Sequence, residues 1–170
     1  LQSSAYAYAD EKKYDKVIEV REKAIKIYER LGKRDEIPLL RFFIGGNYQE
    51  QGKIPEAISN YVKASNLYKS IGNLPKAGEM LGSAALMQNF SGQYDAAINT
   101  YNEILRLTKS SKNKLNYISA LTGIAGVYLA IGKFDKAFEY DNEALSVSHQ
   151  IQNSMEISNI YLGIGGSLLE

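Results

Sequence analysis

The chain has 170 residues, 20 basic and 19 acidic side chains, a net charge of +1 and no cysteine. A chain of this length buries a core without covalent staples, and the absence of cysteine excludes disulfides and thiolate-bound metal centres. No basic stripe suits a phosphate backbone and no apolar run approaches the roughly 20 residues that cross a bilayer, so neither nucleic-acid binding nor membrane insertion is expected.

Helical segments follow one another along the whole chain. Apolar and small residues recur at intervals of three and four, which is the spacing of one face of a helix. Proline stands where a helix begins at Pro38, Pro55 and Pro75, and no proline interrupts a helix interior. The predicted helices lie near 13–31, 37–51, 54–71, 76–91, 94–111, 115–131, 134–151 and 155–169.

The pattern repeats every 40 residues, as the turn glycines Gly52, Gly92 and Gly132 show. Five residues after each of these glycines stands an alanine, Ala57, Ala97 or Ala137. A fixed period of this length is typical of a solenoid of stacked helical hairpins. We name the first helix of each repeat helix A and the second helix B. The repeats are expected at 1–34, 35–74, 75–114 and 115–154, with helix A alone at 155–170.

When the repeats are aligned, their equivalent positions, which we call columns, resemble those of the tetratricopeptide repeat. The pairs and aromatic positions that carry the resemblance are Ile44-Gly45, Ala84-Ala85, Ile124-Ala125 and Ile164-Gly165, followed by Tyr48, Gln88, Tyr128 and Leu168. The chain departs from the family where Trp is usual, at Arg41, Leu81 and Leu121, and it lacks the closing proline. The resemblance implies an all-α, right-handed solenoid of stacked helix-turn-helix repeats, with helices A lining a concave groove.

The resemblance also implies a function in binding. Repeats of 40 residues look like those of bacterial sensor kinases and regulators, of peptide-pheromone receptors and of adaptors that bridge G-protein subunits. We therefore expect a protein- or peptide-binding scaffold module within a larger bacterial signalling or regulatory protein. The alternatives are a peptide-sensing receptor domain and a structural oligomerisation element.

Catalytic and metal chemistry have little support. The chain has a single histidine, His149, near the end of a predicted helix B, where a cation suits the helix dipole and a structural role is favoured. Without cysteine or a second histidine, a metal site would consist of carboxylates alone, and none cluster at a calcium-loop spacing. We expect neither an enzyme nor a cofactor.

The family pattern places the binding residues on helices A. The expected groove residues are Phe42, Gly46, Gln49, Ser83, Leu86, Asn89, Thr122, Gly126, Leu129, Asn159 and Leu162. None of them is Lys or Arg, which family members use to grip an acidic C-terminus through charge-assisted bonds. We therefore expect no chaperone-type acidic C-terminus, but a mainly apolar or helical segment whose backbone bonds to Gln49, Asn89 and Asn159.

Glycines inside helices A need a compensating role, because each costs about 1 kcal/mol relative to alanine. For Gly45 and Gly165, close helix packing suffices. The other group of interior glycines falls on columns that line the groove, where superhelical curvature and close approach of a ligand backbone remain alternative explanations. Its members are Gly46, Gly82, Gly123, Gly126, Gly163 and Gly166.

Tyrosines and charges favour structural roles. Tyr61 and Tyr101 fall in one repeat column and are expected to pack in the core. The stretch 115–130 has no charged residue, whereas 11–30 is densely charged, as expected if helices B meet water.

The final predicted helix, 155–169, has no helix B after it to cover Ile160 and Ile164. We therefore expect either that this chain is a fragment that continues, or that two copies meet there as a homo-oligomer. A cytoplasmic location is expected, with the periplasm as the alternative, since both tolerate a cysteine-free domain.

Overall fold

The computed structural model describes residues 13–112, 114–151 and 160–161. Its seven helices are α1 Tyr14–Arg30, α2 Ile37–Glu50, α3 Ile54–Ser70, α4 Leu74–Phe90, α5 Tyr94–Thr108, α6 Leu115–Ala130 and α7 Phe134–Gln150. A 3-10 turn, Arg34–Glu36, precedes α2. Within the described ranges there is no β-strand, and no helix is both long and apolar enough to span a membrane.

Most helix boundaries agree with the predicted ones to within a residue or two. Helix α4 begins earlier than predicted, at Leu74, because the side chain of Asn73 accepts a hydrogen bond from the Lys76 N–H and caps the helix. Helix α5 ends at Thr108 rather than near 111, where serine and lysine follow. Of the predicted helix 155–169, the structure describes Ile160 and Tyr161, which are helical, and the rest lies outside the described residues.

Glycine turns join the helices at five places. Gly32, Gly52, Gly72, Gly92 and Gly132 all have φ between 68° and 77°. This left-handed conformation carries a steric cost for residues that have a Cβ, so glycine is favoured there. The turn role predicted for Gly52, Gly92 and Gly132 is confirmed, and Gly32 and Gly72 take the same conformation.

Each helix packs on its neighbour in the chain, and α4 also contacts α6. Ala57, Ala97 and Ala137 are fully buried, so the small side chain in this column lets successive helices approach closely. Between the hairpins the core consists of large aliphatic residues such as Ile44, Leu121 and Ile124. The expected all-α solenoid of stacked helix-turn-helix repeats is confirmed, with α2, α4 and α6 as helices A.

Candidate functional site

The expected groove residues lie on α2, α4 and α6 and are accessible to different degrees. Leu86 is the most open, with 55% of its surface exposed, and the neighbouring Phe90 is 82% exposed. The other described members are partly buried: Phe42, Gly46, Gln49, Ser83, Asn89, Thr122, Gly126 and Leu129. Asn159 and Leu162 lie outside the described residues, so the site can be followed over three helices A.

An aromatic pair forms the first part of this surface. The ring of Phe42 lies 5.3 Å from that of Tyr61, which is itself 3% exposed. The Tyr61 hydroxyl donates a hydrogen bond of 2.8 Å to Oε1 of Gln49. Gln49 is therefore already bonded within the protein through its oxygen, and its amide nitrogen and the second lone pair of that oxygen remain for the ligand contact predicted from the sequence.

A cleft of about 260 Å³ lies between α4 and α6. Its walls include the groove residues Ser83 and Leu86, together with Glu79 and Ser119. Tyr101 and Ile104 of α5 also line it. Asn116 fixes one end of the cleft, because its Nδ2 donates a hydrogen bond of 2.7 Å to the Pro75 carbonyl.

The helix-interior glycines divide into two classes. In the described part of the chain, a β-carbon added to Gly82 or Gly126 would meet no atom beyond its own helix backbone within 4 Å, so these two positions are open. At Gly45 it would lie 2.7 Å from the Tyr61 ring, which confirms the packing role of that glycine. At Gly123 it would lie 2.4 Å from the Tyr101 ring. At Gly123 the close contact with the Tyr101 ring favours packing, rather than approach of a ligand backbone, as the role of the glycine.

Hydrogen bonding limits what the remaining polar residues can offer. The Thr122 hydroxyl bonds to backbone oxygens of its own helix, at Ile118 and Ser119, which leaves its methyl group for contacts. Among the described residues the Asn89 side chain has no hydrogen-bond partner. The amide of Asn89 is thus not engaged within the described part of the protein.

The electrostatics of the cleft between α4 and α6 are mild. Glu79 forms an ion pair of 2.8 Å with Lys76, so its charge is compensated. Burial raises the pKa of Tyr101, and burial together with the charge of Glu50 raises that of Tyr61. Both phenols therefore stay neutral. The cleft suits a partner whose contacts are mainly apolar.

The His, Asp and Glu side chains of the described ranges do not gather at one place. These ranges contain no group of three or more His, Asp or Glu side chains that could hold a metal ion. His149 is exposed in the last turn of α7. Asp141 of α7 is 4% exposed, and burial raises its pKa to about 6.

Sequence reasoning missed the part played by helix B in the cleft. Tyr101 was assigned to the core alone, yet the buried ring also lines the cleft. The signal was present in the sequence: Gly123 stands where the preceding repeat has Ser83, and the missing side chain makes room for the ring.

Comparison with known proteins supports the resemblance noted in the sequence. A family model for the tetratricopeptide repeat matches residues 36–110 and 76–150. Over 101 residues the chain is 31% identical to the Tonsoku-like protein of Drosophila melanogaster, an alignment that covers 58% of this chain. The chain spans only 7% of the length of that relative.

Solved structures share the fold at low sequence identity. BtubC from P. vanneervenii superposes with a TM-score of 0.79 at 16% identity, over 96% of this chain and 68% of that one. Aspartyl phosphate phosphatase F from Bacillus subtilis gives 0.79 at 19%, over 95% and 43%. A signal transduction ATPase with a tetratricopeptide repeat sensor, from Pyrococcus horikoshii, gives 0.73 at 20%, over 98% and 26%.

Proposed function

Because the chain belongs to the tetratricopeptide repeat family, whose fold is typically a non-catalytic scaffold for protein–protein interaction, we propose that it binds a mainly apolar or helical segment of a partner protein. The segment lies in the groove along α2, α4 and α6. Leu86 contacts its apolar side chains, and Asn89 bonds its backbone.

The open space over Gly82 and Gly126 is the observation that carries this proposal. Neither glycine is needed to let a neighbouring helix approach, so packing does not compensate for the helix propensity that each one loses. A ligand that approaches the helix backbone at these two positions provides such a compensation. The exposed Leu86 supplies apolar surface close by.

A parent protein in bacterial or archaeal signalling is part of the same proposal. Two of the similar structures belong to signalling proteins, and one of these is described as having a repeat sensor. At 19% and 20% identity they share the fold alone with this chain. The alternative, a peptide-sensing receptor domain, differs in that its ligand is a short free peptide rather than a segment of a folded protein.

Phage-displayed peptides selected on the wild-type chain provide a probe for the test. The affinity of a selected, fluorescein-labelled peptide is measured by fluorescence anisotropy against Gly126→Leu, and Asn99→Leu on the exposed face of α5 is the control. We expect Gly126→Leu to block binding, and Asn89→Ala to weaken it by about 0.5 to 1.5 kcal/mol, the usual worth of one neutral hydrogen bond.

Full affinity in both groove variants would overturn the proposal. So would loss of binding on reversing an exposed charge of a helix B, as in Lys63→Glu, because the peptide would then sit on the opposite face. Sedimentation of the chain without peptide tests the alternative of a structural oligomerisation element, in which two copies meet at the predicted helix 155–169.

A further inference from the structure

A second and larger cleft opens on the other side of the stack, between the helices B α1 and α3. It has a volume of about 850 Å³, and α2 forms its floor. A smaller cleft of about 350 Å³ continues it and shares Arg41 and Lys63 with it. None of the expected groove residues lines either cleft.

The next pair of helices B is closed by an ion pair. Nζ of Lys69 on α3 lies 2.8 Å from Oε1 of Glu103 on α5. Forty residues earlier the same two columns hold Glu29 and Lys63, with the charges exchanged. In the described part of the chain these two side chains form no ion pair, and both line the open cleft instead.

The larger cleft combines an apolar floor with a net positive edge, since Arg34, Arg41 and Lys63 outnumber Glu29, whereas the smaller cleft is lined by Arg41 and Lys63 together with Glu22 and Glu56. Ile37 and Leu67 supply the floor, and Ile71 is 45% exposed beside them. Arg34 and Lys63 are exposed and, over the described ranges, have no acidic partner. An apolar floor beside exposed cations complements a ligand that carries carboxylates next to apolar side chains.

Asn60 adds an unsatisfied acceptor in the smaller cleft. The residue is 6% exposed, and its Nδ2 donates a hydrogen bond of 2.9 Å to the Glu56 carbonyl. Its Oδ1 has no hydrogen-bond partner, an arrangement that is costly for a buried group. At the equivalent position of the next repeat, Thr100 bonds to Gln88, but Tyr48 replaces that glutamine opposite Asn60. A small rotation of the amide would present Oδ1 to a ligand N–H.

We propose that the clefts between α1 and α3 bind an extended, acidic peptide segment of a partner protein. Arg34 and Lys63 hold its carboxylates, Ile37 and Leu67 its apolar side chains. Asn60 accepts from its backbone, which requires an N–H that is not already used in a helix. Glu29 also lines the larger cleft, and its carboxylate repels the carboxylates of the ligand.

This site is independent of the groove on helices A, and its experiment is separate. The probe is a short fluorescein-labelled peptide that alternates glutamate and leucine, and a lysine–leucine peptide of the same length is its counterpart. Anisotropy is measured at low and physiological salt with the wild-type chain and with Lys63→Glu, Glu29→Gln and Asn60→Ala. Lys109→Glu, an exposed charge reversal at the end of α5, is the control.

We expect the substitutions of Lys63 and Glu29 to change the affinity for the acidic peptide in opposite directions. Lys63→Glu weakens binding of the acidic peptide by about tenfold or more, since a charge-assisted bond becomes a repulsion. Glu29→Gln strengthens binding by a few-fold because it removes a carboxylate that repels the acidic peptide. Asn60→Ala weakens it by about fivefold. The control leaves the affinity unchanged, and circular dichroism shows that every variant keeps its helices.

Three results would overturn the proposal. The first is equal binding of the lysine–leucine peptide, and the second is wild-type affinity in Lys63→Glu. The third is displacement of the acidic peptide by a single-stranded oligonucleotide at equimolar concentration, which would indicate a general anion site. A Gly126→Leu chain that still binds the acidic peptide shows that the two clefts act separately, so either proposal can fail alone.

Discussion

The ring of Tyr101 covers Gly123 so closely that a β-carbon on that glycine would lie 2.4 Å from the ring atoms. Tyr61, in the same column one repeat earlier, turns the other way and covers Gly45 of its own hairpin. Each ring turns toward the hairpin that has a glycine opposite it. Tyr61 has Gly45 in its own hairpin and Ser83 in the next, whereas Tyr101 has Ala85 in its own and Gly123 in the next.

Gly123→Ala is expected to destabilise the chain, although alanine is the better helix former. The added methyl group overlaps the Tyr101 ring, and overpacking a core in this way costs roughly 1 to 3 kcal/mol. Gly126→Ala is the matched control in the same helix, where the new methyl meets open space. It should raise the free energy of unfolding by about 0.5 to 1 kcal/mol. Urea denaturation measures both, and equal effects would contradict the packing of Tyr101.

Ala97→Leu tests the contact between helices A and B. Ala97 is fully buried, so the larger side chain is expected to cost roughly 1 to 3 kcal/mol and to lower the melting temperature. Asn99→Leu places the same side chain on the exposed face of α5 and should leave the melting temperature nearly unchanged. A wild-type melting temperature for Ala97→Leu would show that the helix register is wrong.

Asn73→Ala tests the cap that starts α4. The Asn73 side chain accepts a hydrogen bond of 3.2 Å from the Lys76 N–H. Its removal should lower the free energy of unfolding by about 1 kcal/mol. Lys133→Ala is the control, because the N-cap residue of α7 makes no such side-chain bond. The cap would have no energetic role if the two variants unfolded at the same urea concentration.

Asp141 predicts a particular dependence of stability on pH. Burial raises its pKa from 3.8 to about 6, so between these values the folded chain holds the proton more tightly than the unfolded chain does. The contribution of Asp141 is therefore fully present below about pH 4 and is lost as the pH rises through 6.

Replacing the carboxylate with an amide removes this loss. At pH 7, Asp141→Asn should be more stable than the wild-type chain by roughly 1 to 3 kcal/mol, and near pH 4 the two should converge. Urea denaturation at a series of pH values gives the difference, from which contributions of other carboxylates cancel. Asp135→Asn, at an exposed position of α7, should show no such trend. A difference that stayed constant with pH would refute the assignment.

The helices could be predicted from the sequence because their signals are local. A glycine such as Gly52 is favoured in a left-handed turn, and a proline such as Pro55 fits the first helical turn, whatever surrounds them. The orientation of Tyr101 depends on two other helices, so the column alone did not reveal that its ring fills the space over Gly123. The cleft between α1 and α3 depends on how far two helices B diverge, which no single repeat encodes.

Every extensive contact among the described helices joins neighbours one or two places apart along the chain. Among the described helices no extensive contact joins distant repeats, so the rigidity of the solenoid depends on the interfaces between adjacent helices. A rotation of a few degrees at each junction adds up along the solenoid into a large change of curvature, at little cost to any one contact. The solenoid can therefore change its curvature as a whole, and a partner bound along α2, α4 and α6 would fix that curvature.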